Sequence, residues 1–159
     1  MEFTPPLEAR FQQLLARYPV KRSALIPMLL FAQDEYGFLS QEIIAEIARR
    51  MELTVLETEA TISYYSMLRK EPAGRFHLQI CTNISCMLRG GEALFDCARE
   101  KLGIAPGEVT PDGLFSLEEV ECIGACAWAP AMQVNYDFHH ELTPQRLEQL
   151  IQEMKARSR

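Results

Sequence analysis

The sequence predicts an α+β protein, helical in its first half and mixed in its second, and three observations carry that expectation. Apolar residues recur at three- and four-residue intervals as far as about residue 70, the period of amphipathic helices. The run Lys70-Glu71-Pro72-Ala73-Gly74 is a turn-rich junction. Beyond it the period falls to two: Phe76, Leu78 and Ile80 alternate with His77 and Gln79, as in a half-buried strand. The 159 residues suffice for one ordinary core, or for a core with a smaller domain appended. The expected division is a helical bundle at 1–73 and a second domain at 74–159.

The first half reads as four short helices. Leu7, Phe11, Leu14, Leu15 and Tyr18 line one face of the first, which Pro19 ends. The second runs from about Ser23 to Tyr36, with Leu25, Met28, Leu29 and Ala32 inward, Pro27 harmless in its first turn, and Gly37 as its stop. Ser40 is placed to cap a third, burying Ile43, Ile44, Ile47, Ala48 and Met51 and leaving Glu46, Arg49 and Arg50 wet. Thr54 and Glu57 have the spacing of a capping box that opens a fourth helix through Leu56, Ala60 and Ile62 toward Tyr64 and Tyr65.

In the second half the strand from Phe76 delivers Cys81. A single helix is expected from Ser85 to Leu102, with Leu94, Cys97, Ala98 and Leu102 inward and Gly103 closing it. Turns at Pro106-Gly107 and Pro111-Asp112-Gly113 precede an extended piece through Phe115, Leu117 and Val120 that ends at Cys122. A loop, Gly124 to Pro130, leads to a strand with Met132, Val134 and Tyr136 on one side, then a turn near Asp137 to His140. Thr143 caps a last helix with Pro144 at its first position and Leu147, Leu150, Ile151 and Met154 inward. The order β-α-β-β-α resembles the core of a thioredoxin-like fold.

Composition removes several function classes. A net charge of −6 lacks the basic footprint of a nucleic-acid binder or of a protein held to an anionic lipid surface. No stretch nears the roughly 20 apolar residues of a membrane helix, so direct membrane insertion is not expected. The start, Met1-Glu2-Phe3-Thr4-Pro5-Pro6, lacks the features of a signal or transit peptide, which points to the cytosol. Structural disulfides are rare there, so five cysteines suggest metal or redox chemistry.

Four of them form two pairs: Cys81 and Cys86 with four residues between them, Cys122 and Cys126 with three. Each spacing lets two sulfurs converge. Both pairs lie where a strand gives way to a loop, the first also at a helix start, where backbone N–H groups can face an anionic cluster. Gly124 lets the backbone approach closely. A 2Fe-2S cluster on four thiolates carries a charge of about −2, and about −3 when reduced, so such donors matter. Structural zinc accepts the same four-cysteine spacing. A thioredoxin-type thiol enzyme would place two residues between its cysteines, and neither pair does. Spacing alone leaves iron–sulfur and zinc both open, and with zinc the alternative of an assembly module without electron chemistry.

The flanking residues are more specific. Cys81-Thr82-Asn83-Ile84-Ser85-Cys86-Met87-Leu88-Arg89-Gly90-Gly91, the run from Gly103 to Gly113, and Glu119-Val120-Glu121-Cys122-Ile123-Gly124-Ala125-Cys126-Ala127-Trp128-Ala129-Pro130 resemble one family. It is the 24-kDa-type, or E-type, component of respiratory complex I, the thioredoxin-like 2Fe-2S subunit of the NADH-dehydrogenase module. Ala32-Gln33-Asp34-Glu35-Tyr36-Gly37-Phe38-Leu39 and Tyr64-Tyr65-Ser66-Met67 extend the resemblance into the helical half. It departs at Ser63-Tyr64-Tyr65, where the family usually has Thr-Phe-Tyr. The resemblance implies that Cys81, Cys86, Cys122 and Cys126 ligate one 2Fe-2S cluster. It also implies that FMN and NADH are bound by a partner flavoprotein subunit, with other complex I subunits beyond it. The cluster would hold single electrons from that flavin at the inner face of the plasma membrane. Gamma-type subunits of NAD-linked formate dehydrogenases and hydrogenases share the cysteine pattern. The chain has no strand-Gly-x-Gly-x-x-Gly-helix unit, so NADH chemistry is expected elsewhere.

Plainer readings cover the remaining residues. Cys97 is expected as a small buried hydrophobe, and His77, His139 and His140 as solvated. Trp128 reads as packing over the cluster or as a partner contact. Glu118, Glu119 and Glu121 read as a solvated strand face, with lowering of a cluster's reduction potential as the alternative, Arg89 as a charge at the helix start that offsets the cluster or contacts a partner, and the apolar stripes of the first four helices as bundle packing with a share left for a partner.

Overall fold

The computed structural model describes residues 2–158, and the chain divides into two units between Pro72 and Ala73. The first unit is four α-helices whose ends follow local chemistry. Helix α1 (Pro5–Arg17) begins at Thr4, whose hydroxyl accepts from Leu7 N–H at 3.4 Å. A 3-10 turn (Lys21–Ala24) leads into α2 (Leu25–Tyr36), which Gly37 ends at φ +85°. Ser40 caps α3 (Gln41–Met51), and both halves of the Thr54–Glu57 capping box are present on α4 (Val55–Tyr64). Leu7, Phe11, Leu14, Met28, Leu29, Ile43, Ile44, Ile47 and Ile62 form one core. Gln33 is buried and ties α2 to the chain beyond α4, donating to Met67 O at 2.9 Å and accepting from Arg69 N–H at 2.6 Å.

One face of α3 departs from expectation. Glu46 is buried rather than wet, and Arg50 nearly so. The Glu46 carboxylate accepts from Arg49 Nη2 at 2.7 Å and Arg50 Nε at 2.6 Å. Arg50 also pairs with Glu8 and lays its guanidinium 4.0 Å from the centre of the Phe3 ring. The hydrogen bond from Arg49, with that from Arg50, holds the Glu46 carboxyl down at about 2. Helical periodicity places charged residues outside, but long arginine stems cover apolar rings and carry a carboxylate in with them.

The second unit is a four-stranded mixed sheet in the order β2-β1-β3-β4. Strand β1 (Phe76–Cys81) pairs in parallel with β2 (Phe115–Val120) and antiparallel with β3 (Met132–Val134), and β3 pairs antiparallel with β4 (Asp137–His139). The crossover between β1 and β2 contains α5 (Ile84–Leu88) and α6 (Gly91–Leu102); α7 (Pro144–Arg157) closes the chain, capped by Thr143. Leu78, Ile80, Phe115, Leu117, Met132 and Val134 pack with Leu94, Phe95 and Ala98 of α6 and Leu147, Leu150, Ile151 and Met154 of α7.

The expected order stands with three local differences. The helix expected at Ser85–Leu102 is broken at Arg89-Gly90, with Gly90 at φ +93°. Gly91 then passes so close to the cysteines that a Cβ there would lie 2.7 Å from Cys81 O. The turn after β3 falls at Asn135-Tyr136, with Asn135 at φ +53°, so Tyr136 is exposed in the turn. The residues expected as turn, Asp137 to His139, form the edge strand β4, too short to show a period. His77 is buried, not solvated, because Ser116 and Glu118 of β2 hold both its ring nitrogens. Among the described residues no helix is long and apolar enough to cross a membrane.

Candidate metal centre

Parallel pairing of β1 with β2 brings the two cysteine segments together. Cys81 ends β1 opposite Val120, the last residue of β2, so the chain leaves both strands at the same edge of the sheet. From there β1 turns through Asn83 into α5, which carries Cys86, and β2 continues through Cys122 to the 3-10 turn Cys126–Trp128. Cys81, Cys86, Cys122 and Cys126, the four residues singled out from sequence, all line one cavity of about 160 Å³ with Asn83, Ile84 and Ser85. Cys97 does not join them; it is half-buried on α6 with Sγ 3.9 Å from Pro144 O.

The geometry suits metal–thiolate chemistry. Cys122 Sγ and Cys126 Sγ are 3.7 Å apart, and two thiolates on one tetrahedral metal at roughly 2.3 Å stand roughly 3.8 Å apart. All four cysteines border the cavity. Among the described residues no three His, Cys, Asp or Glu groups are arranged to hold a single ion.

The surroundings differ between the pairs. Cys81 and Cys86 are 3% and 2% exposed and pack with Ala125, Ala129 and Ala131, whereas Cys122 and Cys126 are exposed. Burial pushes the Cys86 thiol up to about 11, helped by a hydrogen bond with Cys81 and opposed by the Ala131 backbone. The neighbouring Cys122 pushes the Cys126 thiol up as well. A cationic centre would offset the burial and neighbouring sulfur that hold the Cys86 and Cys126 thiols up, and so favour their thiolates.

Of the expected backbone donors, Gly124 N–H reaches Cys122 Sγ at 3.3 Å. The first N–H of α5 goes instead to Asn83 Oδ1 at 2.6 Å. Asn83, Ser85 and the small alanines behind Cys86 escaped the sequence reading, since nothing in their local pattern marks them. Trp128 is 54% exposed and stacked on His140, ring centres 5.3 Å apart, and is not among the residues that line the cavity. His140 is exposed, as expected, and carries the Trp128 ring on its own ring, while His139 is half-buried rather than solvated. Glu119 is exposed, accepting from Thr82 at 2.8 Å, and Glu121 is exposed just beyond β2, both as expected, whereas Glu118 is half-buried with His77 and Gln79.

Comparison with known proteins agrees with this chemistry. The family described as thioredoxin-like 2Fe-2S ferredoxin matches residues 11–155. The chain is 45% identical over 144 residues to the second E-type component of the NADH-quinone oxidoreductase of Rhizobium meliloti, covering 91% of this chain and 86% of that one. It is 44% identical over 151 residues to NADH-quinone oxidoreductase subunit 2 of Thermus thermophilus, covering 93% and 83%. Among solved structures, an air-oxidised NAD+-reducing NiFe-hydrogenase aligns with TM-score 0.74 and 25% identity over 84% of this chain, which spans 23% of the hydrogenase chain.

Proposed function

The chain belongs to the thioredoxin-like 2Fe-2S ferredoxin family, and from that premise we propose that it is the E-type electron-transfer component of an NADH:quinone oxidoreductase. The observation that carries this reading is one cavity lined by four cysteines from two separate segments of the chain, in a chain whose relatives bear that component's name. Cys81, Cys86, Cys122 and Cys126 would hold the cluster. When bound, a 2Fe-2S cluster supplies a site for one electron at a time.

The chain's own groups set the conditions at that site. Cys81 and Cys86 with Ala125, Ala129 and Ala131 exclude water from one side. Gly124 N–H offsets charge on the Cys122 sulfur. The exposure of Cys122 and Cys126 leaves the other side open to a partner. That partner is the NADH- and FMN-binding flavoprotein subunit of the same complex, which passes electrons singly to this chain. Residues 74–159 form the cluster domain and 1–73 a helical domain, and the assembly lies peripheral to the inner face of the plasma membrane. A second reading, the gamma-type subunit of an NAD-linked hydrogenase, is favoured by the structural likeness to the NAD+-reducing hydrogenase. It asks the same chemistry of the cysteines.

Anaerobic purification tests the cluster. A brown protein with two irons and two sulfides per chain, paramagnetic after reduction, is expected; a colourless protein with one zinc overturns the reading. Affinity purification from the native cell separates the two complexes. Recovery of an FMN-containing protein with quinone-reducing subunits is expected, and a hydrogenase subunit in their place selects the second reading.

A further inference from the structure

His77, Gln79 and Cys81 share one face of β1, because residues two apart along a strand point the same way. The parallel register sets Ser116, Glu118 and Val120 of β2 beside them. His77 is 7% exposed, where an imidazole needs partners for both ring nitrogens. Nδ1 lies 2.8 Å from Ser116 Oγ and Nε2 lies 2.9 Å from Glu118 Oε2. Gln79 Nε2 donates to the same Glu118 oxygen at 2.8 Å, so the polar chain runs along the sheet toward Cys81. The cysteine centre does not use these groups directly.

The partners dictate where the protons sit. An ionised Glu118 only accepts, so Nε2 carries a hydrogen, and in the neutral ring Nδ1 accepts from the Ser116 hydroxyl. Ser116 Oγ itself accepts from Gly74 N–H at 3.0 Å. A second ring proton therefore enters at Nδ1; Ser116 Oγ turns from donor to acceptor, and the imidazolium faces a carboxylate. Of the other groups near the ring, Arg75 lies over the Phe76 ring, 5.6 Å from its centre. From the turn after β3, the neutral Asn135 accepts the His77 backbone N–H at 3.0 Å, and on β3 the neutral Gln133 stands opposite Gln79. Asp137 and His139 of β4 register with Val134 and Met132 and so belong to the opposite face.

We propose that His77 is a redox-linked proton site, taking up a proton when the cluster takes up an electron. The proposal rests on the reading of Cys81 as a cluster ligand. His77 and Cys81 are four positions apart along the strand, about 13 Å at roughly 3.3 Å per residue. At that distance and an effective dielectric of about 20, one added negative charge favours the imidazolium about tenfold. The balance is simple: the oxidised centre gains one electron from the partner's reduced flavin, and His77 Nδ1 gains one proton from water. Reoxidation returns both. The charge added among the cysteines is thereby offset on the same sheet.

The test is an EPR-monitored redox titration of the cluster-loaded full chain at a series of pH values spanning the ordinary histidine range, about 5.5 to 9. At a fixed potential the reduced-to-oxidised ratio is expected to be up to about tenfold higher at the acid end than at the alkaline end. His77→Gln is expected to abolish this dependence with iron and sulfide content unchanged. Glu118→Gln is expected to move the same window to lower pH, because the imidazolium loses its carboxylate, and it keeps the test available if His77→Gln does not fold. A flat profile in the unsubstituted chain overturns the proposal, as does undiminished dependence in His77→Gln or an unmoved window in Glu118→Gln. Failure of the ligand reading is distinct: it shows as a cluster retained in Cys81→Ser, whatever the pH profile, and a chain without iron overturns both.

Discussion

The two cysteine pairs lie on one cavity but are held in opposite ways. Cys81 and Cys86 sit between packed elements, one at the end of a central strand and one in a short helix, with Gly91 pressed against the backbone of both. Cys122 and Cys126 sit on an exposed loop whose geometry depends on Gly124 at φ +78° and its N–H to sulfur. A rigid wall faces an open rim. The difference teaches that the protein's own packing fixes two of the sulfurs, while the other two stand on a loop open to solvent.

The largest effects come from removing a sulfur on either side. Cys81→Ser and Cys122→Ser are each expected to reduce bound iron and visible absorbance to near background. Full retention of the spectrum in one variant would show that its pair is not part of the ligand set.

A contrast of backbones comes next. In Gly91→Ala the new Cβ meets Cys81 O at 2.7 Å and Cys86 backbone atoms at 2.9 Å, and a loss of about 3 kcal/mol is expected. In Gly124→Ala nothing lies within 4 Å of the new carbon, so only the left-handed backbone costs energy, about 1 kcal/mol. Urea unfolding midpoints of the cluster-free chain measure both. Equal losses would break the picture of a packed pair facing an open one.

Thiol reactivity sharpens the comparison in the cluster-free protein. Iodoacetamide at mildly alkaline pH is expected to label Cys122 and Cys126 before Cys86, read by mass spectrometry. The Cys86 thiol, pushed up to about 11 by burial, is neutral there. Raising the pH toward that value increases its thiolate fraction about tenfold per unit, so its labelling should accelerate. The smallest effect belongs to Cys97→Ser. Its sulfur lies off the cavity, so the cluster spectrum should be unchanged and stability should move by about 1 kcal/mol or less.

Much of this was legible before any coordinates. Ser40, Thr54 with Glu57, and Thr143 announced helix starts because capping is a contact within four residues. Gly37 and Gly103 marked helix ends for the same reason. The four cysteines stood out because thiolates at such spacing have few other uses in a reducing compartment. The break at Gly90 was harder to see. Two adjacent glycines can be tolerated within a helix, and what requires a break here is the approach of Gly91 to Cys81 and Cys86.

By itself the sequence determined the helical half, the junction, the strand that delivers Cys81, and the four sulfurs. These depend on interactions between residues close along the chain. Only the tertiary structure decided that Glu46 and His77 are buried, that Trp128 stacks on His140, and that β4 closes the sheet. It also decided which cysteine pair is sheltered. Burial is set by whatever packs opposite, and those residues lie far away in sequence: Ser116 is 39 positions from His77, and Glu8 is 42 from Arg50. Local pattern carries no record of such partners until the strands and helices have met.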